Sequence, residues 1–186
     1  MLSRLSSFSG PLSPLFRIPV GGFTADGLIL RYVIGDTDSY SGTTNITDLK
    51  GNSNATLYSD VNTVGIGPTY SINGYLNFDG VNDYMTIVRS SSMSPTSALT
   101  QEVWFNFSIV PSVAIFIGLQ YGTSTNNTYA LWKDSSLLYG GVNTSGSFSA
   151  IGIGTSYMSG NKWHHFVHTY DGSTQKLYLD GVLLNS

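Results

Sequence analysis

Short apolar runs that recur about every ten residues, with turn-forming pairs between them, are the feature of this sequence that most restricts its fold. Beyond Phe23 the runs include GLILRYVI, YMTIVR, EVWFNFSIV, TYALWK, SLLYGGV, HHFVHTY and KLYLDGVLL. The pairs that tolerate positive φ in tight turns are Asn73-Gly74, Asp79-Gly80, Gly140-Gly141, Asp171-Gly172 and Asp180-Gly181. No segment has helical periodicity, so the pattern predicts ten or more short strands in an all-β antiparallel sandwich.

Composition restricts the classes of partner. The net charge is -3 and the pI is about 5.4, which gives no long-range attraction toward phosphate backbones or anionic lipid. No apolar run approaches the ~20 residues that a membrane helix needs. Because the chain has no cysteine, it has neither disulfides nor a thiolate zinc site. We therefore expect neither nucleic acid nor a membrane as a partner.

The first 22 residues differ from the rest of the chain. They hold three of the six prolines, and their two charged residues are both arginines. Proline at this spacing favours extended backbone. We interpret residues 1–22 as an extended anchoring arm and residues 23–186 as the sandwich domain. The arm residues expected to dock on another protein chain are Leu12, Leu15, Phe16 and Ile18; a solvated tail is the alternative interpretation.

Four motifs, in order along the chain, resemble successive strands of a laminin G-like, concanavalin A-type lectin/glucanase domain. They are YLNFDGVNDY (75–84), EVWF (102–105), WHHFVHTYDG (163–172) and LYLDG (177–181). Ahead of them, SYSGTT (39–44) and DLKGNSNATL (48–57) resemble the leader of this domain in many bacteriophage structural proteins. The resemblance covers about residues 26–184. It implies a jelly-roll sandwich of a kind that hosts glycan binders, glycosidases, and adhesion or virion modules.

The acidic residues do not match the glycosidases of this fold. The resemblance implies a strand motif with two glutamates flanking an aspartate, whereas the whole chain has one glutamate, Glu102. Asp79 and Asp83 flank one turn, and Asp171 and Asp180 lie at the ends of one hairpin. Turn capping accounts for these four aspartates. We therefore expect no enzymatic activity.

Three histidines lie within five residues of one predicted strand. Alternation places His164 and His168 on one face, ~13 Å apart at ~3.3 Å per residue, and His165 on the other face. One strand cannot bring such donors to the ~2.0–2.1 Å that zinc requires. We interpret the three as structural residues, with His165 packed near Trp163.

Two ligand sites are candidates. Laminin G-like domains often carry a calcium site at the rim, and the oxygen donors available here are Asp79, Asn82, Asp83 and Asp134. No other cofactor is expected. A glycan platform needs exposed aromatic rings beside amides, a composition shared by Tyr121, Asn126, Asn127, Tyr129 and Trp132. Tyr129 and Trp132 fit a role in the core equally well.

These observations leave three hypotheses about function. The first is a non-enzymatic structural or adhesion protein at the surface of a tailed-phage virion, either a capsid decoration or a tail-fibre module. Its partners would be other virion proteins, with the chain as a homo-oligomer or assembly subunit. The second is a lectin-like module that recognises host polysaccharide, and the third is a glycosidase, degenerate or active.

The hairpin around Asp180-Gly181 stands close to the end of the sequence. In resembling proteins, further strands follow this turn, whereas here only Val182, Leu183 and Leu184 continue the apolar pattern. Three arrangements would complete the sheet: a longer C-terminus, a strand donated by a neighbouring subunit, or the segment Phe23–Ile34. The first is the expectation.

Overall fold

The computed structural model describes residues 27–59, 63–64, 67–94, 97–119, 128–143 and 146–186. Within them the chain forms fourteen strands and two single-turn 3-10 helices, Ser91–Met93 and Thr155–Tyr157. The chain divides between Ser92 and Met93 into two compact units. The arm of residues 1–22, with Leu12, Leu15, Phe16 and Ile18, lies outside the described residues. In the described part of the chain, no helix is long and apolar enough to span a bilayer.

The first unit contains two small antiparallel sheets. Its strands are β1 (Asn45–Ile46), β2 (Ala55–Ser59), β3 (Thr63–Val64), β4 (Thr69–Ser71), β5 (Tyr75–Asn77) and β6 (Asp83–Ile87). β2 pairs with β1, β3 and β6. β4 and β5 form a hairpin that turns at Asn73-Gly74, where Gly74 has a φ of 83°.

A buried carboxylate organises the loop ahead of β2. Asp48 Oδ1 accepts hydrogen bonds from the N–H groups of Arg31 and Lys50, and its Oδ2 accepts from those of Asn52 and Ser53. This ties the loop to the extended segment that holds Arg31. The run GLILRYVI, predicted to be a strand, is extended with alternate residues buried, but it makes only a single bridge at Tyr32. The segment is held by one backbone hydrogen bond, from the N–H of Leu49 to Arg31 O, and by side-chain bonds from Asn52 and to Ser39. Alternation in the sequence does not distinguish such contacts from a strand ladder.

The second unit is a sandwich of two four-stranded antiparallel sheets. The first sheet has the order β11-β10-β9-β8 and the second β14-β13-β12-β7. The strands are β7 (Leu99–Asn106), β8 (Ala114–Leu119), β9 (Thr128–Asp134), β10 (Leu137–Asn143), β11 (Phe148–Gly154), β12 (Trp163–Tyr170), β13 (Gln175–Leu179) and β14 (Val182–Asn185). The side-chain nitrogens of Asn185 and Gln175 donate across to Gly152 O and Ser149 Oγ of β11. The prediction of an all-β antiparallel sandwich is confirmed.

Alternating side chains fill the space between these two sheets. On β12 the residues His164, Phe166 and His168 are buried, while their neighbours are partly exposed. A register shift in β8 between Ile115 and Ile117 adds one residue, Phe116. The ring of Phe116 lies 4.7 Å from Phe105 and 6.2 Å from Phe166, centroid to centroid. The bulge therefore supplies an extra aromatic ring to the core.

The Gly140-Gly141 pair is not a turn, and that prediction is wrong. Both residues lie in the middle of β10 and pair with β9 and β11. A Cβ on Gly140 would stand 2.5 Å from Cγ of His168 on the facing sheet. Glycine is needed at position 140 because the His168 side chain approaches the backbone closely there. Within a strand, glycine can mark such a close approach as well as a turn.

The hairpin of β13 and β14 turns at Asp180-Gly181, as predicted, with φ values of 52° and 84°. Among the described residues, no strand pairs with the other edge of β14, where Val182 and Leu183 are exposed. The described part of Phe23–Ile34 hydrogen-bonds instead to residues 39 and 48–52. How the sheet is completed stays a prediction.

Gly140→Ala should destabilise the protein by about 1–3 kcal/mol, because the new methyl group overlaps the His168 ring and the sheets must separate to accept it. Denaturant unfolding measures the loss. Gly118→Ala is the matched control, since a Cβ there would lie 3.6 Å from Ile115 Cγ2, an ordinary contact. Equal stability of the two variants would show that the sheets do not depend on this approach.

Candidate functional site

His168 is a core residue of the sandwich. Its Nε2 faces Oε1 of Gln175 at 3.0 Å and its Nδ1 faces Nε2 of Gln101 at 3.1 Å. The amide oxygen can only accept, so Nε2 carries the proton and Nδ1 accepts from Gln101. Burial lowers the pKa of His168 to about 4, although the hydrogen bond to Gln175 acts in the opposite direction. The imidazole is therefore neutral at pH 7.

His164, the second inward histidine, binds the β13–β14 turn. Its Nδ1 lies 2.9 Å from Asp180 Oδ2, and the N–H of His165 donates to Asp180 Oδ1 at 2.9 Å. Burial alone would raise the pKa of Asp180, but these hydrogen bonds and the charges of His164 and Lys162 hold it below its usual value. The aspartate clamps its turn onto β12.

His165 points to the opposite face of β12, as alternation predicted. Its ring stacks on Trp104 at 4.7 Å and 11°, and its Nε2 lies 3.2 Å from Glu102 Oε2. The expectation that His165 packs near Trp163 stays a prediction, and the ring contact that the structure shows is with Trp104. Trp163 is two residues away along the same strand, whereas Trp104 is the direct cross-strand partner, the closer position in a sheet.

The three histidines thus serve three separate contacts. Across the residues that the structure describes, no group of three histidine, cysteine, aspartate or glutamate side chains is placed to hold a metal ion.

Asp79, Asp83 and Asp171 accept hydrogen bonds from N–H groups of their own turns, as predicted, whereas Asp180 binds β12 instead of capping its turn. Asp171 Oδ1 accepts from the N–H groups of Thr174 and Ser173 and from the Ser173 hydroxyl. These bonds, with that of Thr174 first, lower the pKa of Asp171 to about 2. The carboxylate is therefore committed to its own turn.

The calcium candidates fall in two places. Asp79, Asn82 and Asp83 share one turn of the first unit, where Asp79 Oδ1 accepts from the N–H groups of Val81, Asn82 and Asp83. The pKa of Asp79 is lowered by these bonds, that of Val81 most. Asp134 ends β9 of the second unit. Main-chain N–H groups already bind Oδ1 of Asp79. A calcium site at these residues stays a prediction.

The proposed glycan platform is only partly in view. Tyr121, Asn126 and Asn127 lie outside the described residues. Tyr129 is 3% exposed and packs against Leu99 and Val142 in the core, so its assignment to an exposed platform is wrong. The reason is geometric: Tyr129 and Trp132 are three residues apart on one strand and so point to opposite faces.

Trp132 instead belongs to a cluster on the face of its sheet that is directed away from the core, here called the aromatic face: Trp132, Tyr139, Phe148 and Ile115. Tyr139 is the cross-strand partner of Trp132, and their rings stack at 4.8 Å and 9°. Phe148 lies 5.9 Å from Trp132, directly above Gly141. Ile115 pairs with Trp132 from β8 and is 70% exposed.

Sequence reasoning missed Tyr139 and Phe148. Both stand in recognisable strands, but only the register of β9, β10 and β11 brings them beside Trp132. The available signal was Gly141, which leaves room for the Phe148 ring: a Cβ there would lie 2.4 Å from Phe148 Cζ.

Comparison with known proteins agrees with the fold. The family model of the concanavalin A-like lectin/glucanases superfamily matches residues 79–186, more than half of the chain. The chain belongs to this superfamily. Neither a curated protein nor a solved structure matches it. Membership supports a carbohydrate-binding or adhesion-type module; since the superfamily includes lectins and glucanases, it does not decide between binding and hydrolysis, and it carries no link to bacteriophage proteins.

The stability of the protein should fall by up to about 3 kcal/mol between pH 6.5 and pH 4 on account of His168. In this window the unfolded chain binds a proton on this histidine that the folded protein does not accept until about pH 4, so acid favours unfolding. Urea unfolding at pH 7, 6, 5 and 4.5 measures the slope.

His168→Gln should flatten that slope, whatever its effect on absolute stability. His165→Gln is the matched variant, because its ring lies on the other face of β12. If His168→Gln retained the slope of the native chain, or if His165→Gln flattened it equally, the assignment of the acid sensitivity to His168 would be wrong.

Proposed function

We propose that this chain is a non-enzymatic structural or adhesion module of a tailed-bacteriophage virion, displayed on the particle surface and attached through its N-terminal arm. The observation that carries the non-enzymatic part is the placement of Glu102. The virion assignment is supported by the leader-like motifs at residues 39–44 and 48–57 and by the apolar, proline-rich arm.

Glycosidases that use two carboxyl groups hold them about 5–5.5 Å apart when they retain configuration and about 6.5–9.5 Å apart when they invert it. The four strands of the β14-β13-β12-β7 sheet contain one carboxylate, Glu102. On its own face of β7, the flanking positions are Thr100 and Trp104, neither of which carries a carboxyl group. The strand therefore lacks the partner that such catalysis needs.

The turn next to this sheet does not replace that partner. Asp180 contacts the main chain of His165, but its two oxygens are occupied by His164 and by the N–H of His165. Lys162 lies 3.8 Å from one of them. These contacts lower the pKa of Asp180, so its carboxylate stays ionised. An ionised carboxylate is a poor general acid.

Attachment is the task of the arm in this proposal. Burying Leu12, Leu15, Phe16 and Ile18 against another virion protein would give ~1.5–3 kcal/mol for each side chain before ordering costs. Four such anchors suffice to hold a small module on a large assembly, as a subunit or as a homo-oligomer.

A lectin-like module that recognises host polysaccharide is the second candidate. The aromatic face favours it, since the partly exposed stack of Trp132 and Tyr139 is a surface on which the apolar side of a sugar ring can lie. A virion adhesin with its own ligand would combine the two functions.

Deleting residues 1–22 should leave the sandwich folded but prevent its incorporation into particles, because the anchoring side chains are gone. Incorporation is read from the protein content of purified particles, and folding from the thermal melt. The control keeps the arm length and changes Leu12, Leu15, Phe16 and Ile18 to Ser, which should have the same effect. Normal incorporation of the truncated chain would show that the arm is only a tail.

The protein should release no reducing sugar from a panel of polysaccharides, because Glu102 has no catalytic partner carboxylate. A reducing-end assay with prolonged incubation measures release. Activity that is abolished by Glu102→Gln, or by Asp79→Asn or Asp83→Asn, would make the chain a hydrolase and overturn the proposal.

A further inference from the structure

We infer that the aromatic face of the β11-β10-β9-β8 sheet is a binding site for a neutral polysaccharide, with Trp132 as its principal stacking residue. This inference rests on the lectin-like candidate function. It places the ligand on a regular sheet surface, and of the platform that the sequence suggested it keeps Trp132.

Register builds the site as a row across four strands. Gly152, Tyr139, Trp132 and Ile115 are successive cross-strand partners, so their side chains stand side by side on one face. Gly152 leaves space for the tyrosine: a Cβ there would lie 3.0 Å from Tyr139 Cε1. The row is therefore a continuous apolar surface made of two stacked rings, with an exposed isoleucine at one end.

Phe148 adds a second side to this surface. It begins β11, is 40% exposed, and covers Gly141 next to Trp132. The rings of Trp132 and Phe148 are tilted by 46° to each other. Two rings at an angle offer a shallow corner, which suits the curved surface of a linked sugar chain better than a flat partner.

The charges of the sheet indicate a neutral ligand. Its strands contain two charged residues, Lys133 and Asp134. Lys133 is buried, and its ammonium donates to the carbonyl oxygens of Ser112, Asp134 and Ser135. Burial, and then the negative charge of the nearby Asp134, raise the pKa of the Tyr139 hydroxyl. The lysine is thus engaged within the protein, and the one charge of the sheet on this face is the carboxylate of Asp134, which disfavours an anionic ligand.

A polar group at the edge of the face matches the hydroxyls of a sugar. Asn143 is the cross-strand partner of Phe148 and is 5% exposed. Its Oδ1 accepts from the N–H of Gly146 at 2.9 Å, which fixes the orientation of the amide beside Phe148. Aromatic rings with a few fixed polar groups are the usual composition of a small-molecule site.

The test is affinity electrophoresis of the full chain through gels that contain neutral polysaccharides, such as linear glucans, mannans and galactans, with anionic polysaccharides run in parallel. Trp132→Ala and Phe148→Ala remove rings of the face. Tyr157→Ala is the matched control: Tyr157 is also an exposed aromatic residue, 60% exposed, but it lies in the 3-10 turn that follows β11. Thermal melts establish that each variant is folded.

We expect retardation by at least one neutral polysaccharide. Trp132→Ala should weaken it about tenfold or more and Phe148→Ala measurably, while Tyr157→Ala stays within about twofold. Retardation that survives Trp132→Ala would leave lectin function standing but overturn this site.

Two further results would also overturn the inference. One is an absence of retardation across the neutral panel, or retardation by anionic polysaccharides alone, which requires a charged site. The other is concentration-dependent dimerisation that Trp132→Ala abolishes, which would make the aromatic face a contact between copies of the chain.

Discussion

Packing of the His168 ring against the backbone of Gly140 is the contact on which the sandwich most depends. It is where the two sheets of the second unit approach so closely that no side chain fits between them. The imidazole must be neutral and hydrogen-bonded at both nitrogens to stay there, which Gln101 and Gln175 ensure. Two of the three clustered histidines, His164 and His168, are therefore part of the core, and function has to be sought on the outer faces.

Local rules predicted much of this architecture. Alternation correctly separated His165 from His164 and His168, and the Asp180-Gly181 turn was read from its residue types. The Gly140-Gly141 pair was misread because glycine marks close approach as well as turns. Alternation also separates Tyr129 from Trp132, but composition had grouped them. His165 stacks on Trp104, and Trp132 on Tyr139, because of which strands pair and in which register. Strand pairing and register cannot be read from the residues of one strand alone.

The two outer faces of the sandwich differ in what they can offer a ligand. On one, the His165 ring stacks on Trp104 and its Nε2 lies beside Glu102, which is almost fully buried. On the other, the aromatic rings remain partly exposed, and Asp134 is the one charged side chain of the sheet on that face. Superfamily membership allows both binding and hydrolysis. Among the described residues of its sheet, the open face carries a single carboxylate, Asp134, whereas a two-carboxyl mechanism needs a pair, and this is why we propose binding.

The chain has three tryptophans, Trp104, Trp132 and Trp163, whose indole N–H groups report separately on these two faces. Nuclear magnetic resonance of the full chain, with and without a neutral polysaccharide that it binds, tests the central claim most directly. The account predicts that the Trp132 indole signal shifts while those of Trp104 and Trp163 stay in place. A shift at Trp104 or Trp163 with Trp132 unchanged would place the ligand on the histidine-bearing sheet and contradict the account.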